Sequence, residues 1–319
     1  MSDVEHLHEL HGLPVFEFPE PDHQGELPAA ASVAWRLSAQ LWEDDAESFE
    51  DLFERFLTAV DASAVRALII GPWGQPYDND SGAVVELLVA ARERLTALEA
   101  VFIGDLVMEE AEISWIEQSD VTPVLAAYPA LREFGVRGGS GLCFPAVRHE
   151  RLRTLSFEAG GLPADVVRGV AASELPALEY LEIWLGVDEY GGDATVEDLA
   201  PLLAGDRLPS LRHLGLQNSD MQDAIAAAVA AAPVVARLES LDLSMGVLTD
   251  DGARALLEGQ SLTHLKWLDL HHNYIGDEMG QRLREALEPS GVELDLSDDD
   301  ADAYEWEDGR VMRYTAVAE

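Results

Sequence analysis

The sequence predicts an α/β solenoid, a curved parallel sheet on the concave face with helices on the convex face. Three observations predict it. An apolar triplet recurs at nearly regular intervals along the 319 residues. The segments between copies carry amphipathic helical stripes. Hydrophobic residues make up 48% of the chain, enough to bury a core that grows with each added unit. Length alone would suggest two domains, but an array absorbs that length without a second core.

The triplet is Leu-x-x-Leu-x-Leu. Clear copies are Leu178, Leu181, Ile183; Leu211, Leu214, Leu216; Leu238, Leu241, Leu243; and Leu265, Leu268, Leu270. Looser copies precede them: Val65, Leu68, Ile70; Leu98, Val101, Ile103; Leu131, Phe134, Val136; and Leu152, Leu155, Phe157. Trp35 with Leu37 and Leu294 with Leu296 form end copies, for about ten in all. First positions are separated by 33, 33, 21, 26, 33, 27 and 27 residues. This is the spacing of a leucine-rich repeat, and the helical returns bring it close to the ribonuclease-inhibitor style. The last two positions of the triplet are two apart, so they share one face of a strand and point inward.

The returns are read from period. Phe49, Leu52, Phe53, Phe56, Leu57 and Val60 form a helical stripe over Glu47 to Val60, and Val84, Val85, Leu88 and Ala91 form another over Ser81 to Arg94. Thr195 with Asp198 reads as an N-cap for a helix to Leu203, Thr249 as the cap of one to Leu257, and Met279 to Leu287 closes the series. Asn273, three residues after Leu270, stands where many leucine-rich repeats carry an asparagine that satisfies loop backbone groups. The equivalent positions hold Ser219, Gly246, Gly186 and Gly160, so the ladder is mostly missing.

The expected organisation is an N-terminal cap over 1–31, the repeats over 32–297, and a capping hairpin over 298–319. Asp308-Gly309 is the hairpin turn signal.

Acidic residues outnumber basic ones 61 to 20, for a net charge of −41. That balance speaks against nucleic acid, which needs clustered Lys and Arg, and against an anionic membrane surface. It leaves two readings, solubility or attraction of a basic protein partner. Lys266 is the single lysine and Cys143 the single cysteine, so no intrachain disulfide forms. The segment from Met1 to Leu10 lacks a basic start and an apolar run, and no stretch approaches the roughly 20 apolar residues of a span. A cytoplasmic, non-catalytic protein without a cofactor is the expectation.

Outward strand positions follow from the triplet. In the first half they are Arg36, Ser38, Ile69, Phe102, Glu133, Arg137, Thr154, Ser156 and Glu158. In the second they are Tyr180, Glu182, Trp184, His213, Gln217, Ser240, Asp242, Ser244, Trp267, Asp269, His271, Glu293 and Asp295. Tyr180, Trp184 and Trp267 are expected to be exposed, with Glu182, His213, Gln217, Asp242, Asp269 and His271 around them. Exposed aromatic anchors in a polar surround are what a protein-binding hot spot requires. The opposing reading is rings packed on one another as filler for the sheet face.

Asp242, Asp269 and His271 also offer the donor types that hold zinc or iron, which makes a metal-dependent hydrolase a third-ranked reading. His6, His8, His11 and His23 read as surface histidines of the cap, and Gly138, Gly139 and Gly141 as a tight turn rather than a phosphate cradle. Cys143 is expected to be a small buried residue, and the block around Trp115 to pack on the helical side.

Two segments carry a closer likeness. One runs from Glu112 through Ile113, Ser114, Trp115, Ile116, Glu117, Gln118, Ser119 and Asp120 to Tyr128-Pro129-Ala130-Leu131 and Val136-Arg137-Gly138-Gly139. The other pairs the opening from Gly12 to Pro19 with the ending Arg313-Tyr314-Thr315-Ala316-Val317. Together they resemble an uncharacterised family of bacterial leucine-rich-repeat proteins encoded near radical-SAM and ATP-grasp enzymes. That resemblance implies no catalytic residues. It implies an accessory role, presenting a substrate to a neighbour-encoded modifying enzyme.

Overall fold

The computed structural model describes residues 4–21, 23–39, 47–297, 301, 303–305 and 311–318. Twelve strands form one sheet in strict chain order. They are β1 (Glu9–Leu10), β2 (Leu13–Glu17), β3 (Ala34–Ala39), β4 (Ala67–Trp73), β5 (Ala100–Ile103) and β6 (Glu133–Arg137). The series continues with β7 (Thr154–Glu158), β8 (Tyr180–Gly186), β9 (His213–Ser219), β10 (Ser240–Asp242), β11 (Trp267–Asp269) and β12 (Glu293–Asp295). Every pair from β2 onward is parallel. The first pair is antiparallel, closed by His11 and Gly12, both with positive φ (56° and 69°). Two successive left-handed residues are the tight hairpin solution for right-twisted strands.

The helices are α1 (Phe49–Ala59), α2 (Gly82–Ala90), α3 (Thr122–Ala127), α4 (Ala164–Ala172), α5 (Val196–Ala204), α6 (Gln222–Val229), α7 (Asp250–Glu258) and α8 (Asp277–Leu287). Five of these answer the stripes and caps read from sequence. Thr195 opens α5 as a capping box, with Asp198 accepting from the Thr195 backbone N–H at 2.9 Å. Thr249 accepts from the Asp251 N–H at the start of α7. The helices α3, α4 and α6 were not anticipated.

The inward triplet positions stack in register. Trp35, Leu68, Val101, Phe134, Leu155, Leu181, Leu214, Leu241 and Leu268 form one row, each fully buried. They join the apolar faces of the helices in one continuous core. Each such side chain contributes about 1.5–3 kcal/mol on burial. The result is an α/β, leucine-rich-repeat-like solenoid.

The C-terminal ends of β9, β10 and β11 and the turns that leave them repeat one device. Asn218, Met245 and His272 all take positive φ (53°, 65° and 46°). Each backbone N–H donates to the next repeat, at Ser244, His271 and Ser297. Asn273 behaves as its motif suggests, donating to the carbonyls of Leu243 and Leu270 and accepting from the Leu248 N–H. One repeat earlier stands Gly246, which has no side chain; there Gln222, fully buried, donates to the Leu216 carbonyl at 2.7 Å. The incomplete asparagine ladder is thus covered in part by a residue of α6.

The N-terminal segment crosses the sheet face opposite the helices. Leu7, Leu10, Leu13 and Val15 pack against Ala34, Ala67, Ile69, Ala100 and Phe102. A polar network pins the crossing. Asp105, fully buried, accepts from Arg36 Nε at 2.7 Å and from the Leu7 N–H at 3.0 Å, with Arg137 Nη1 at 3.6 Å. Arg137 also donates to Glu158, to the Leu106 carbonyl and to the Glu5 carbonyl. The outward positions Arg36, Ile69, Phe102 and Arg137 are therefore buried rather than free. Three alanines in the first outward row make the room for this segment.

Strands β13 (Ala303–Glu305) and β14 (Val311–Arg313) pair antiparallel. The Asp308-Gly309 turn and the acidic Asp298 to Asp300 stretch lie outside the described residues. Beyond β14 the chain runs back along the ends of earlier strands. Ala316 N–H donates to the Met245 carbonyl, Asn218 exchanges hydrogen bonds with the Val317 backbone, and Ser114 Oγ donates to the Ala318 carbonyl.

Two further expectations are corrected. Cys143 is exposed, because it follows the tight turn of Gly138 to Gly141 and faces solvent. In the Trp115 block Ile113, Ile116 and Gln118 are buried, but Trp115 itself is 58% exposed. No helix among the described residues is long and apolar enough to cross a membrane.

Candidate functional site

Beyond β7 the outer sheet face is lined by its own side chains. Parallel strands lie about 4.7–4.9 Å apart, so equivalent positions form rows. The first row is Tyr180, His213, Ser240, Trp267 and Glu293. The second is Glu182, Gly215, Asp242, Asp269 and Asp295. Trp184 and Gln217 are paired one step further along, with Ser244 and His271 following on the next two strands.

The first row is a stack. The His213 imidazole lies flat on the Tyr180 ring, and Trp267 follows at 6.3 Å between centroids and 22° between planes. His213 Nδ1 meets Ser240 Oγ at 2.8 Å, while its Nε2 is buried without a partner. Burial pushes the imidazole down to about 4, so it is neutral near pH 7.

Glu182 holds the other aromatics. It accepts from Tyr180 Oη at 2.5 Å and from Trp184 Nε1 at 3.0 Å. Burial pushes its carboxyl up to about 7; the bonds from Tyr180 and Trp184 oppose this, and the charges of Glu158 and Asp242 add to it. Burial and Asp269 likewise push Asp242 up to about 6, against its bond from the Ser244 N–H. Asp269 bonds both the backbone N–H and Nδ1 of His271, and that hydrogen bond raises the imidazole above its ordinary value.

All nine expected binding residues thus meet on one face. Their exposure differs from the expectation: Tyr180, Glu182, Trp184, Trp267 and His271 are half-buried, while His213, Gln217, Asp242 and Asp269 are buried. The neighbouring rows pack sideways on one another, which covers the shorter side chains and leaves the rims of the aromatic rings at the surface.

The three side chains whose donor atoms converge as a metal ion would require are not the expected ones. Asp295, not Asp242, joins Asp269 and His271, with one donor atom of each within 4.8 Å of the others. No fourth His, Cys, Asp or Glu joins them among the described residues. Of the histidines expected at the cap surface, His8 and His23 are exposed, whereas His6 and His11 are half-buried. His6 lies against Asp105 and Glu110, and His11 against Glu99 and Glu133.

Sequence reasoning missed Gly215. It interrupts the acidic row where Glu182, Asp242, Asp269 and Asp295 would call for another carboxylate, and that interruption is visible in the repeat alignment.

No family model and no curated protein matches the chain. Among solved structures, it is similar to a protein from Bacteroides fragilis determined as a structural-genomics target. The two share 33% identity and a TM-score of 0.74, over 83% of this chain and 72% of that one. An internalin from Listeria monocytogenes is a looser match, at 16% identity and TM-score 0.40 over 84% of this chain and 61% of that one. By its identity and coverage, the chain belongs to the same family as the Bacteroides fragilis protein.

Proposed function

We propose that the chain is a non-catalytic binding scaffold of about ten repeats, whose concave sheet face over β8 to β12 holds a protein partner. One observation carries this reading. The N-terminal segment covers the outward side chains of β3 to β5, whereas beyond β7 Tyr180, Trp184 and Trp267 keep ring area at the surface above buried carboxylates. Aromatic anchors ringed by polar groups supply affinity, and the acidic field speeds the approach of a basic partner. A partner role beside a modifying enzyme is the specific form that the sequence resemblance favours.

The test is capture of partners from lysate of the source organism by the wild type and by the Trp184→Ala/Trp267→Ala variant. A protein held by the first and lost from the second, with Tm unchanged within about 2 °C, supports the reading. Equal retention moves the interface elsewhere, and a large drop in Tm would show the two rings to be core.

A further inference from the structure

A cavity of about 670 Å³ lies at the rim of the solenoid, and none of the nine residues of the concave face lines it. One wall is the chain as it leaves four successive strands: Val187 to Tyr190 after β8, Asp220 after β9, Val247 beyond β10 and Tyr274 beyond β11. The other wall is the returning tail, Met312 to Thr315 with Ala318. The two walls are tied together. The Tyr274 hydroxyl donates to the Tyr314 carbonyl at 2.8 Å and accepts from the Tyr314 N–H at 3.0 Å, and the Ala316 N–H donates to the Met245 carbonyl. Met312 and Tyr314 are exposed, so the space is open to solvent. Sites for small molecules span about 300–1,000 Å³, and in α/β sheets they gather outside the carboxyl ends of the strands.

The lining sets the chemistry. Val187, Val247, Met312 and the rings of three tyrosines give it an apolar body. Asp188, Glu189 and Asp220 give it charge, and among the described residues no Lys or Arg forms an ion pair with any of the three. Partial burial, and after it the charge of Asp188, hold the Asp220 carboxyl above its ordinary value, so these acids act on each other at the ends of β8 and β9. The cation of the lining is Arg313, which lies over the Tyr274 ring at 5.6 Å, at the β11 end. It shows that a tyrosine face of this wall accepts a cation. The acids at the β8 end are left without one. An anion would meet three carboxylates there. A metal ion would gain nothing from the apolar wall, and a neutral apolar molecule would leave the carboxylates unpaired.

We propose that this cavity binds a small organic amine, its ammonium set against Asp188 and Asp220 and its apolar body against Val247, Met312 and Tyr314. This site is separate from the concave face, so the reading of that face as a partner surface stands or falls independently of it.

The probe is 2-phenylethylamine, titrated into the full chain at 150 mM NaCl while the methionine methyl resonances are followed, that of Met312 being assigned with Met312→Leu. The neutral 2-phenylethanol and the anionic 3-phenylpropionate are the controls of charge, and Nα-acetyl-lysine N-methylamide stands for a protein side chain. A saturable shift of Met312 is expected with the amine, with the exposed Met108 unmoved. Binding should be at least fivefold weaker with the alcohol, absent with the carboxylate and at least threefold weaker with the lysine amide. Asp188→Asn/Asp220→Asn should weaken amine binding at least fivefold, and Tyr314→Ala at least threefold. Tm is measured for each variant, and only variants within 2 °C of the wild type are scored; the charge series on the wild type decides the matter without them. Absence of a saturable shift, equal movement of Met108, equal binding of the alcohol or the carboxylate, or full binding by a scored variant overturns the proposal. Equal binding of the lysine amide overturns it too, giving the cavity to a protein side chain instead.

Discussion

The His213 imidazole lies on the Tyr180 ring with centroids 3.9 Å apart and planes within 5°, and the Tyr180 hydroxyl is bonded to Glu182. Three titratable groups are thus one packed unit, and their protons are coupled to folding. His213 is pushed down to about 4, so its contribution is present above its ordinary value and lost as pH falls towards 4. Glu182 and Asp242 are pushed up to about 7 and about 6, so their contribution is present below the ordinary carboxylate range and lost as pH rises through 6 to 7. The two carboxyls outweigh the one imidazole. Tm should fall from pH 5.5 to pH 7.5, and the Glu182→Gln/Asp242→Asn variant should flatten that slope. At pH 7.5 the variant should be at least as stable as the wild type, by about 2 °C or more in a thermal melt.

Asp105 is the hub of the N-terminal crossing, because Arg36 and Arg137 are themselves buried and both approach it. Asp105→Ala leaves two buried guanidinium groups short of their counter-charge. Removing one partner of such a cluster costs about 3–5 kcal/mol. Chemical denaturation should show a loss of that size, and a variant within 1 kcal/mol of the wild type would mean the network is solvated.

Removing residues 4–12 should uncover Ile69 and Phe102 without dismantling the helical side, since the crossing belongs to a separate apolar cluster. Binding of a hydrophobic dye should rise severalfold while helical circular dichroism changes little. Loss of the helical signal would show that the segment is needed for the array to form.

The inward rows were legible because Leu-x-x-Leu-x-Leu states which side of each strand is buried, and the strand register follows from that alone. The N-terminal crossing was not, since Arg137 meets Glu5 across 132 positions and no local pattern encodes such a contact. Its signal was nonetheless present: Ala34, Ala67 and Ala100 repeat in one outward row, and Ile69 and Phe102 in the next are too apolar for a free face. Helices α4 and α6 escaped notice because no capping side chain announces their starts: Pro163 and Met221 stand at their N-caps. The nine candidate binding residues were readable by register, but their burial depended on which neighbours lacked side chains, as at Gly215.

Asn218 donates to the Ala159 and Val317 carbonyls and accepts from the Val317 N–H. Asn218→Ala should free residues 314–318, and hydrogen exchange of the Ala316 and Val317 amides should accelerate at least tenfold. Unchanged exchange would place the anchorage at Tyr274, whose hydroxyl meets the Tyr314 backbone.

In a plain repeat stack each unit touches only its neighbours, so the stack can fray inward from one end, repeat by repeat. Residues 314–318 change that topology. They return from beyond the last strand to Met245, Asn218 and Ser114, and Gly160 is glycine where any Cβ would overlap the Ala318 carbonyl. The span from Ser114 to Ala318 is thereby closed into a ring by contact. Fraying from the last repeat must first release the clasp, and the clasp rests on repeats near the middle of the chain. Thermal or mechanical opening of the second half is therefore expected as one event, so that the candidate binding face is either whole or gone.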